Sequence, residues 1–390
     1  MFVASAALVF SCVLPAAARE PAPFVPNDSF YHLSRAGLES MAVPRAWRVT
    51  QGDPRVVIAV VDSGVGRDPD LTPNLLPGFN AIDGGADTTD ENGHGSEQAT
   101  LIGAVLDNGR GAAGICGRCR ILPVKVFGAD GRADVETIAR GIRWASKHGA
   151  RVINLSFALV PGSAPSASLN AALTDAVGHG ITVVAGAGNN GSADPAANPL
   201  AATNPQAIRV ASIATQSHTL DGSSNRGSWV DLAASAALSS RGLGSAPTGG
   251  TSAAAAAVSA ISGLLLSCNP GLTPAHIKDI LVRTSTPYAV EVASGGEVNA
   301  YRAVLSSGCP TPDVAEPAEL NKLTVLIRGS GAVTRQPTGG WYEDGTVATL
   351  QAKPRPGWHF DSWRGPCAGK RQTCRFAVTR PATVTAVFSR

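Results

Sequence analysis

A doubly wound α/β domain, with a mainly parallel sheet flanked by helices, followed by a small all-β C-terminal domain, is the architecture the 390-residue sequence predicts. Three observations carry it. Apolar β-branched runs alternate with segments of helical periodicity from Arg55 to Thr284, the pattern of strands joined by crossover helices. The runs are continuously apolar rather than alternating, which marks strands covered on both faces. Near residue 311 the composition turns Pro- and Glu-rich and the charge changes sign. Residues 321–390 hold 11 Lys and Arg against 3 Asp and Glu, a formal +8, whereas residues 1–320 hold 21 against 26, a formal −5.

The first strand is predicted at Val56-Val57-Ile58-Ala59-Val60-Val61, with others at Ile121–Phe127, Arg151–Leu155, Ile181–Ala185 and Ala207–Ile213. Helical spacing fits His94–Leu106, Val135–His148, Ser168–Gly178, Ser252–Leu266 and Pro274–Thr284. In a sheet wound this way, ligands and catalysts sit in the loops beyond the carboxyl ends of the strands. The stretch 311–321 is expected to be a linker, and 322–390 a β module with strands near Thr324–Ile327, Thr346–Leu350 and Thr383–Phe388.

Composition excludes several classes. With 44% hydrophobic and 16% charged residues, the chain is too apolar for intrinsic disorder, and a formal net charge of +3 does not mark a nucleic-acid binder. Phe2 to Leu14 is a short apolar run followed by Ala16-Ala17-Ala18, so residues 1–18 read as a signal peptide and the protein as secreted or attached to the cell surface. Residues 19–54 form an N-terminal segment without room for a full folding propeptide, and 55–310 the α/β domain. Outside Cys12, six cysteines remain: Cys116, Cys119, Cys268, Cys309, Cys367 and Cys374. An even number in an exported chain suggests three disulfides between sequence neighbours.

Four polar positions stand where this scaffold exposes chemistry. Asp62 directly follows the first apolar run, where a carboxylate is costly unless it serves a partner. His94, between Gly93 and Gly95, opens a helix whose positive end is expected to lower its basicity. Ser252 follows Gly249-Gly250-Thr251 and heads an apolar helix, beside backbone N–H groups with no partner in the helix. Asn189 lies in a glycine-rich turn after the Ile181–Ala185 strand. Each has an ordinary alternative: a turn cap, a surface histidine, an N-cap serine, a simple turn. The order Asp, His, Ser is one of those in which a hydrolytic triad occurs.

The four blocks together resemble the subtilisin-like (S8, subtilase) serine peptidases: Ile58-Ala-Val-Val-Asp62-Ser-Gly64, Asn92-Gly-His94-Gly-Ser96, Gly250-Thr-Ser252, and Asn189 after its Ala-Gly pair. Resembling segments run from Asn27 to Val304. The resemblance implies a serine endopeptidase acting on proteins or peptides, with Asp62, His94 and Ser252 as the triad and Asn189 as an oxyanion donor. It implies a substrate held between Gly131-Arg132-Ala133 and Ser156-Phe157-Ala158, with Gly188 beside them. Ala158 stands where the family has glycine, and Asn190 leaves the neighbourhood uncharged, so no strong preference for a basic residue at the cleavage site is expected. No cofactor is implied for catalysis. Asp70 and the Asp107-Asn108-Gly109 loop are similar to segments that hold structural Ca2+ in relatives, with ordinary surface loops as the alternative and no metal ligand set assigned.

Departures from the family pattern are Ala253–Ala257 after Ser252, and Glu97, Gln98 and Thr100 on the histidine helix. A catalytically silent protein of the same fold, acting through its basic tail, is the competing reading. An esterase elbow is not, because Gly250 is not matched by a glycine two residues after Ser252. The tail resembles a divergent internalin-B-type bacterial repeat at Gly329–Thr334, Gly345–Leu350 and Phe360–Cys367. Its charge and Trp341, Trp358 and Trp363 suggest an anionic cell surface or polysaccharide as partner, against a solvated β module with a tryptophan core.

Overall fold

A computed structural model describes residues 21–160, 166–200, 206–239, 249–310, 321–336, 341–342 and 345–390. The expected signal peptide, Cys12 and nearly all of the expected linker lie outside them. The chain divides into two compact units, residues 1–312 and 313–390.

In the first unit, α1 (Tyr31–Ser40) and α2 (Val43–Ala46) precede β1 (Val57–Asp62), β2 (Phe79–Asn80), α3 (His94–Gly103), β3 (Arg120–Lys125), α4 (Val135–Lys147) and β4 (Val152–Leu155). Then come α5 (Ala167–Gly178), β5 (Thr182–Gly186), β6 (Ile208–Ala214), β7 (Thr219–Leu220), β8 (Leu232–Ser235), α6 (Gly250–Cys268), α7 (Pro274–Arg283), β9 (Thr286–Pro287), β10 (Gly296–Glu297) and α8 (Ala300–Ser306). The sheet order is β2-β3-β1-β4-β5-β6-β8-β10-β9, with β7 paired to β6; among the described residues only the β6–β7 and β9–β10 pairs are antiparallel. The expected doubly wound parallel sheet is what forms.

Strand β1 shows why. Ile58 and Val60 belong to the core beneath α3 and α6, while Ala59 and Val61 belong to the core beneath α4 and α5, so every residue of the run is covered. After β1 the chain adds β3 on one side and then β4 on the other, which places the reversal of winding between β1 and β4. In sheets of this kind the ligand site lies at that reversal, beyond the strands' carboxyl ends. Between its partly exposed ends helix α6 lies inside: Ala253–Ala257 are all buried, and their small side chains let it approach the sheet and α3 closely. Although long and apolar enough to cross a membrane, α6 is enclosed by its own domain.

The expected helices start where predicted to within two residues; α3 stops at Gly103 because Ala104 is extended. Strand β8 was not anticipated, since Leu232-Ala-Ala-Ser235 lacks β-branched residues. All three expected disulfides form between sequence neighbours: Cys116–Cys119, Cys268–Cys309 and Cys367–Cys374.

The second unit contains β11 (Asn321–Arg328), β12 (Gly331–Gln336), β13 (Trp341–Tyr342), β14 (Thr346–Pro354), β15 (His359–Arg364), β16 (Thr373–Val378) and β17 (Ala382–Ser389). They form a β13-β11-β17-β15 sheet and a β12-β14-β16 sheet. Trp363, 3% exposed, sits in their core with Leu350, Val384 and Phe388, and its Nε1 donates to the Arg371 carbonyl at 3.0 Å. Trp363 thus belongs to the tryptophan core that was the alternative to a partner-gripping ring. Trp358 is half-buried beneath the Arg390 guanidinium.

Candidate active site

Asp62 ends β1 and is 1% exposed. Its Oδ1 accepts from Ser63 N and from His94 Nδ1, both at 2.8 Å, while Oδ2 is buried without a partner. A carboxylate facing Nδ1 holds the imidazole in the tautomer with its proton on Nδ1, leaving the Nε2 lone pair free to act as a base.

His94 is the first residue of α3, entered through Gly93 at φ +95°. The turn is locked from outside the helix by Asp90. Its Oδ1 accepts from Gly93 N and Ser63 Oγ at 2.8 Å, and its Oδ2 from Ser96 N at 2.8 Å and Ser96 Oγ at 2.6 Å. Burial pushes the Asp90 carboxyl up, but these four bonds outweigh it and hold it below the usual range. Ser63 Oγ in turn accepts from Gly95 N at 2.9 Å. Lys125, at the end of β3 in register with Asp62, donates from Nζ to the Ser63 and Thr89 carbonyls and to Glu91. Asp90, Ser63 and Lys125 were missed in the sequence; Lys125, a charge directly after the apolar run Ile121–Val124, was the available signal.

The His94 side chain is 36% exposed. Burial pushes its basicity down, but the Asp62 charge and hydrogen bond, with Glu97 and Asp90 behind them, more than reverse this, and the net shift is upward. The lowered basicity expected from the helix terminus is thus corrected: a carboxylate at 2.8 Å outweighs the partial charge of a helix end.

Ser252 is the third residue of α6, so its backbone N–H has no acceptor within the helix. Its Oγ donates to the Ser156 carbonyl at 2.7 Å, and its own carbonyl accepts from Ser156 Oγ at 2.8 Å. Behind them, Ser259 Oγ donates to Asn154 Oδ1 and Asn154 Nδ2 to Ser156 Oγ, both at 2.9 Å, tying α6 to the end of β4. Asp62 and His94 are therefore directly bonded, whereas Ser252 is turned to Ser156 and makes no hydrogen bond to His94. The atom 3.5 Å from His94 Nε2 is Nε2 of Gln98.

Asn189 is exposed after β5, and its Oδ1 accepts from Thr251 N at 3.0 Å. Because that N–H requires an acceptor, the oxygen faces the serine helix and the NH2 faces outward. Gly250, at φ +66°, leaves the space: a Cβ there would lie 2.7 Å from Asn189 Oδ1. Gly188, at φ +102°, donates from N to Thr251 Oγ1 at 3.1 Å. Asn225, also missed in the sequence, shapes the turn by accepting from Asn190 N and Ser192 N and donating to the Ala187 carbonyl.

Gly131, Arg132 and Ala133 lie in a loop after β3, not in a strand; Asn92 Nδ2 donates to the neighbouring Ala129 carbonyl at 3.1 Å, which brings this loop beside the His94 turn. Ser156 is buried, Phe157 is half-buried edge-on against Phe127 with ring centres 4.9 Å apart, and Ala158 is exposed.

Farther along, Asp70 Oδ1 accepts from Asn108 Nδ2 at 2.7 Å and Oδ2 from Ala112 N at 2.9 Å, while Asp28 accepts from Asp107 N and Asn108 N. These oxygens are directed at N–H groups of the distant 107–112 loop. Among the described residues no three His, Cys, Asp or Glu side chains converge. As arranged, the set does not fit a cation cage, and no chemical step is assigned to a metal.

With this geometry established, comparison with known proteins is informative. Residues 53–336 match the Subtilase family (peptidase S8), and residues 321–390 match the divergent InlB B-repeat domain. Thermitase from Thermoactinomyces vulgaris is 32% identical over 290 residues, covering 72% of this chain and 99% of thermitase. Subtilisin BL from Lederbergia lenta is 32% identical over 271 residues, covering 68% and 97%. The solved structure of a protease from Pseudoalteromonas arctica PAMC 21717 aligns with a TM-score of 0.64 and 28% identity, covering 72% of this chain and 99% of that one.

Proposed function

The chain belongs to the subtilase family of serine peptidases, and from that premise we propose that it cleaves peptide bonds through Asp62, His94 and Ser252. The observation that supports this most is the 2.8 Å bond from His94 Nδ1 to buried Asp62, together with a serine at the head of α6, the helix that packs against α3. Ser252 Oγ rotates from the Ser156 carbonyl toward His94 Nε2 and attacks the substrate carbonyl while Nε2 takes its proton. Asp62 stabilises the resulting imidazolium, which then protonates the departing amine; His94 Nε2 next takes a proton from a water that attacks the acyl-serine, and returns it to Ser252 Oγ as the acid leaves. The outward NH2 of Asn189 and the Ser252 backbone N–H donate to the oxyanion. Subtilases need no catalytic cofactor; besides water, every group that acts belongs to this chain. The peptide would lie between the 131–133 loop and Ser156–Ala158, with Gly188 beneath it.

Fluorophosphonate labelling beside a casein-cleavage assay, with Ser252→Ala as control, tests the reading. Labelling and cleavage that both vanish in the variant are expected. A folded wild-type protein that neither labels nor cleaves would overturn it in favour of a silent scaffold.

Export is supported by three disulfides in one chain, which suit an oxidising compartment. For residues 321–390, the formal +8 supports attachment to an anionic surface, with half-buried Trp358 rather than core Trp363 as a ring for it; the Trp341 side chain lies outside the described residues. Deleting 321–390 without changing retention on cells would sink that attachment.

A further inference from the structure

Gln98 is a fully buried amide left half-satisfied. It lies one turn after His94 on α3, on the same helix face, and is 0% exposed. Its Oε1 has no hydrogen-bond partner, and its Nε2 is 3.5 Å from His94 Nε2. Helix α3 packs against α6, whose Thr251–Leu266 stretch carries no charged side chain. A buried amide with one idle oxygen costs stability unless it serves another state of the protein.

We propose that Gln98 is a positioning residue that hydrogen-bonds Nε2 of His94 in both of its protonation states by turning its amide. This rests on the assignment of His94 as general base. At rest, with Nδ1–H given to Asp62 and Ser252 Oγ turned to the Ser156 carbonyl, neutral His94 presents its one lone pair at Nε2 to the Gln98 NH2, which yields it when Ser252 Oγ–H rotates in. Once Nε2 has taken the Ser252 proton, the NH2 would meet an N–H. A half-turn about the terminal torsion instead brings Oε1 to accept it, and that torsion is broad and roughly two-fold. The proton remains on Nε2 until the leaving amine receives it, so Gln98 neither gains nor loses one. The charged groups around the imidazole are Asp62 from β1, Asp90 from the turn before α3 and Glu97 on α3; all are acidic and favour the cation. Gln98 adds a neutral, reversible partner that also serves the neutral base.

The test is an NMR titration of the His94 ring in the Ser252→Ala protein, which needs no activity. A bond to the cation is the stronger of the two, so Gln98→Met, similar in shape but without the amide, should lower the His94 pKa by roughly half to one unit. Gln98→Glu should raise it by about one unit or more. In the active background, the acid limb of kcat/KM should move in the same directions. If folded Gln98→Met and Gln98→Glu both titrate within about 0.2 units of the parent, the proposal is wrong. Should Met prevent folding, Gln98→Glu with Gln98→Asn decides in the same way: a carboxylate shift absent from the Asn variant supports the contact, and none overturns it. Failure of the triad itself would appear separately, as Ser252→Ala retaining cleavage.

Discussion

Replacing Glu297 with glutamine should stabilise the protein at pH 8 and leave it unchanged at pH 4. Glu297 ends β10 and is 0% exposed; its Oε1 accepts from Ser40 Oγ at 3.0 Å, and its Oε2 is buried with no partner. Burial pushes this carboxyl up from 4.5 to about 7, against the smaller opposing effect of its bonds from Ser40 and the Ser235 backbone. The sign is the reverse of the usual carboxylate. Between pH 4.5 and 7 the folded protein holds a proton the unfolded chain has released, so stability falls as pH rises through that window and then levels off. At about 1.4 kcal/mol per unit, the loss is on the order of 3 kcal/mol. The substituted amide would mimic the protonated form, keeping the oxygen that Ser40 and Ser235 use. Urea unfolding of Ser252→Ala, with and without Glu297→Gln, removes autolysis and cancels every other titrating group in the difference. The variant should gain ~2–3 kcal/mol at pH 8 and nothing at pH 4. A difference that stays constant between those pH values would refute the reasoning.

Other consequences concern the site. Gly250→Ala places a Cβ 2.7 Å from Asn189 Oδ1 and forces a left-handed φ on alanine. It should reduce kcat as Asn189→Ala does, by about 10²–10³, the general range for one lost oxyanion donor rather than a value obtained from this structure. Near-wild-type kcat in a folded Gly250→Ala protein would show that Asn189 is not held as described. Asp62→Asn removes the main cause of the upward shift on His94, leaving burial to dominate. The acid limb of kcat/KM should then fall below its parental position while the rate drops ~10³-fold or more, and an unmoved limb would contradict the assignment. Because the Asp28, Asp70 and Asp107–Ala112 hydrogen bonds close among themselves, chelation should shift Tm by less than about 2 °C, or ~1 kcal/mol at this size. A drop several times larger would place a cation in that loop.

Fold and site were legible to different depths. The strands around Val60, Val124 and Val184 could be read because burial on both faces demands unbroken apolar runs, a signal that needs no partner to be seen. Strand β8 escaped because Ala233 and Ala234 become strand residues only by pairing with β6 and β10. Asp62, His94, Ser252 and Asn189 stood out because each polar residue sits among glycine or apolar neighbours at an element boundary. Asp90 did not, since an aspartate in a loop has many ordinary uses; only its four bonds across the α3 turn reveal its work.

What the sequence determined by itself was local: where apolar periodicity makes strands and helices, where the charge changes sign, and which chemistry-bearing residues punctuate the chain. The tertiary structure decided what those residues experience. His94 is raised rather than lowered because a carboxylate 32 positions earlier lies 2.8 Å away. Ser252 rests on the Ser156 carbonyl, 96 positions distant, and not on the histidine. Glu297 is buried against Ser40, 257 positions away. Electrostatic and hydrogen-bond energies fall off over a few ångströms of space, and separation along the chain does not report such distances.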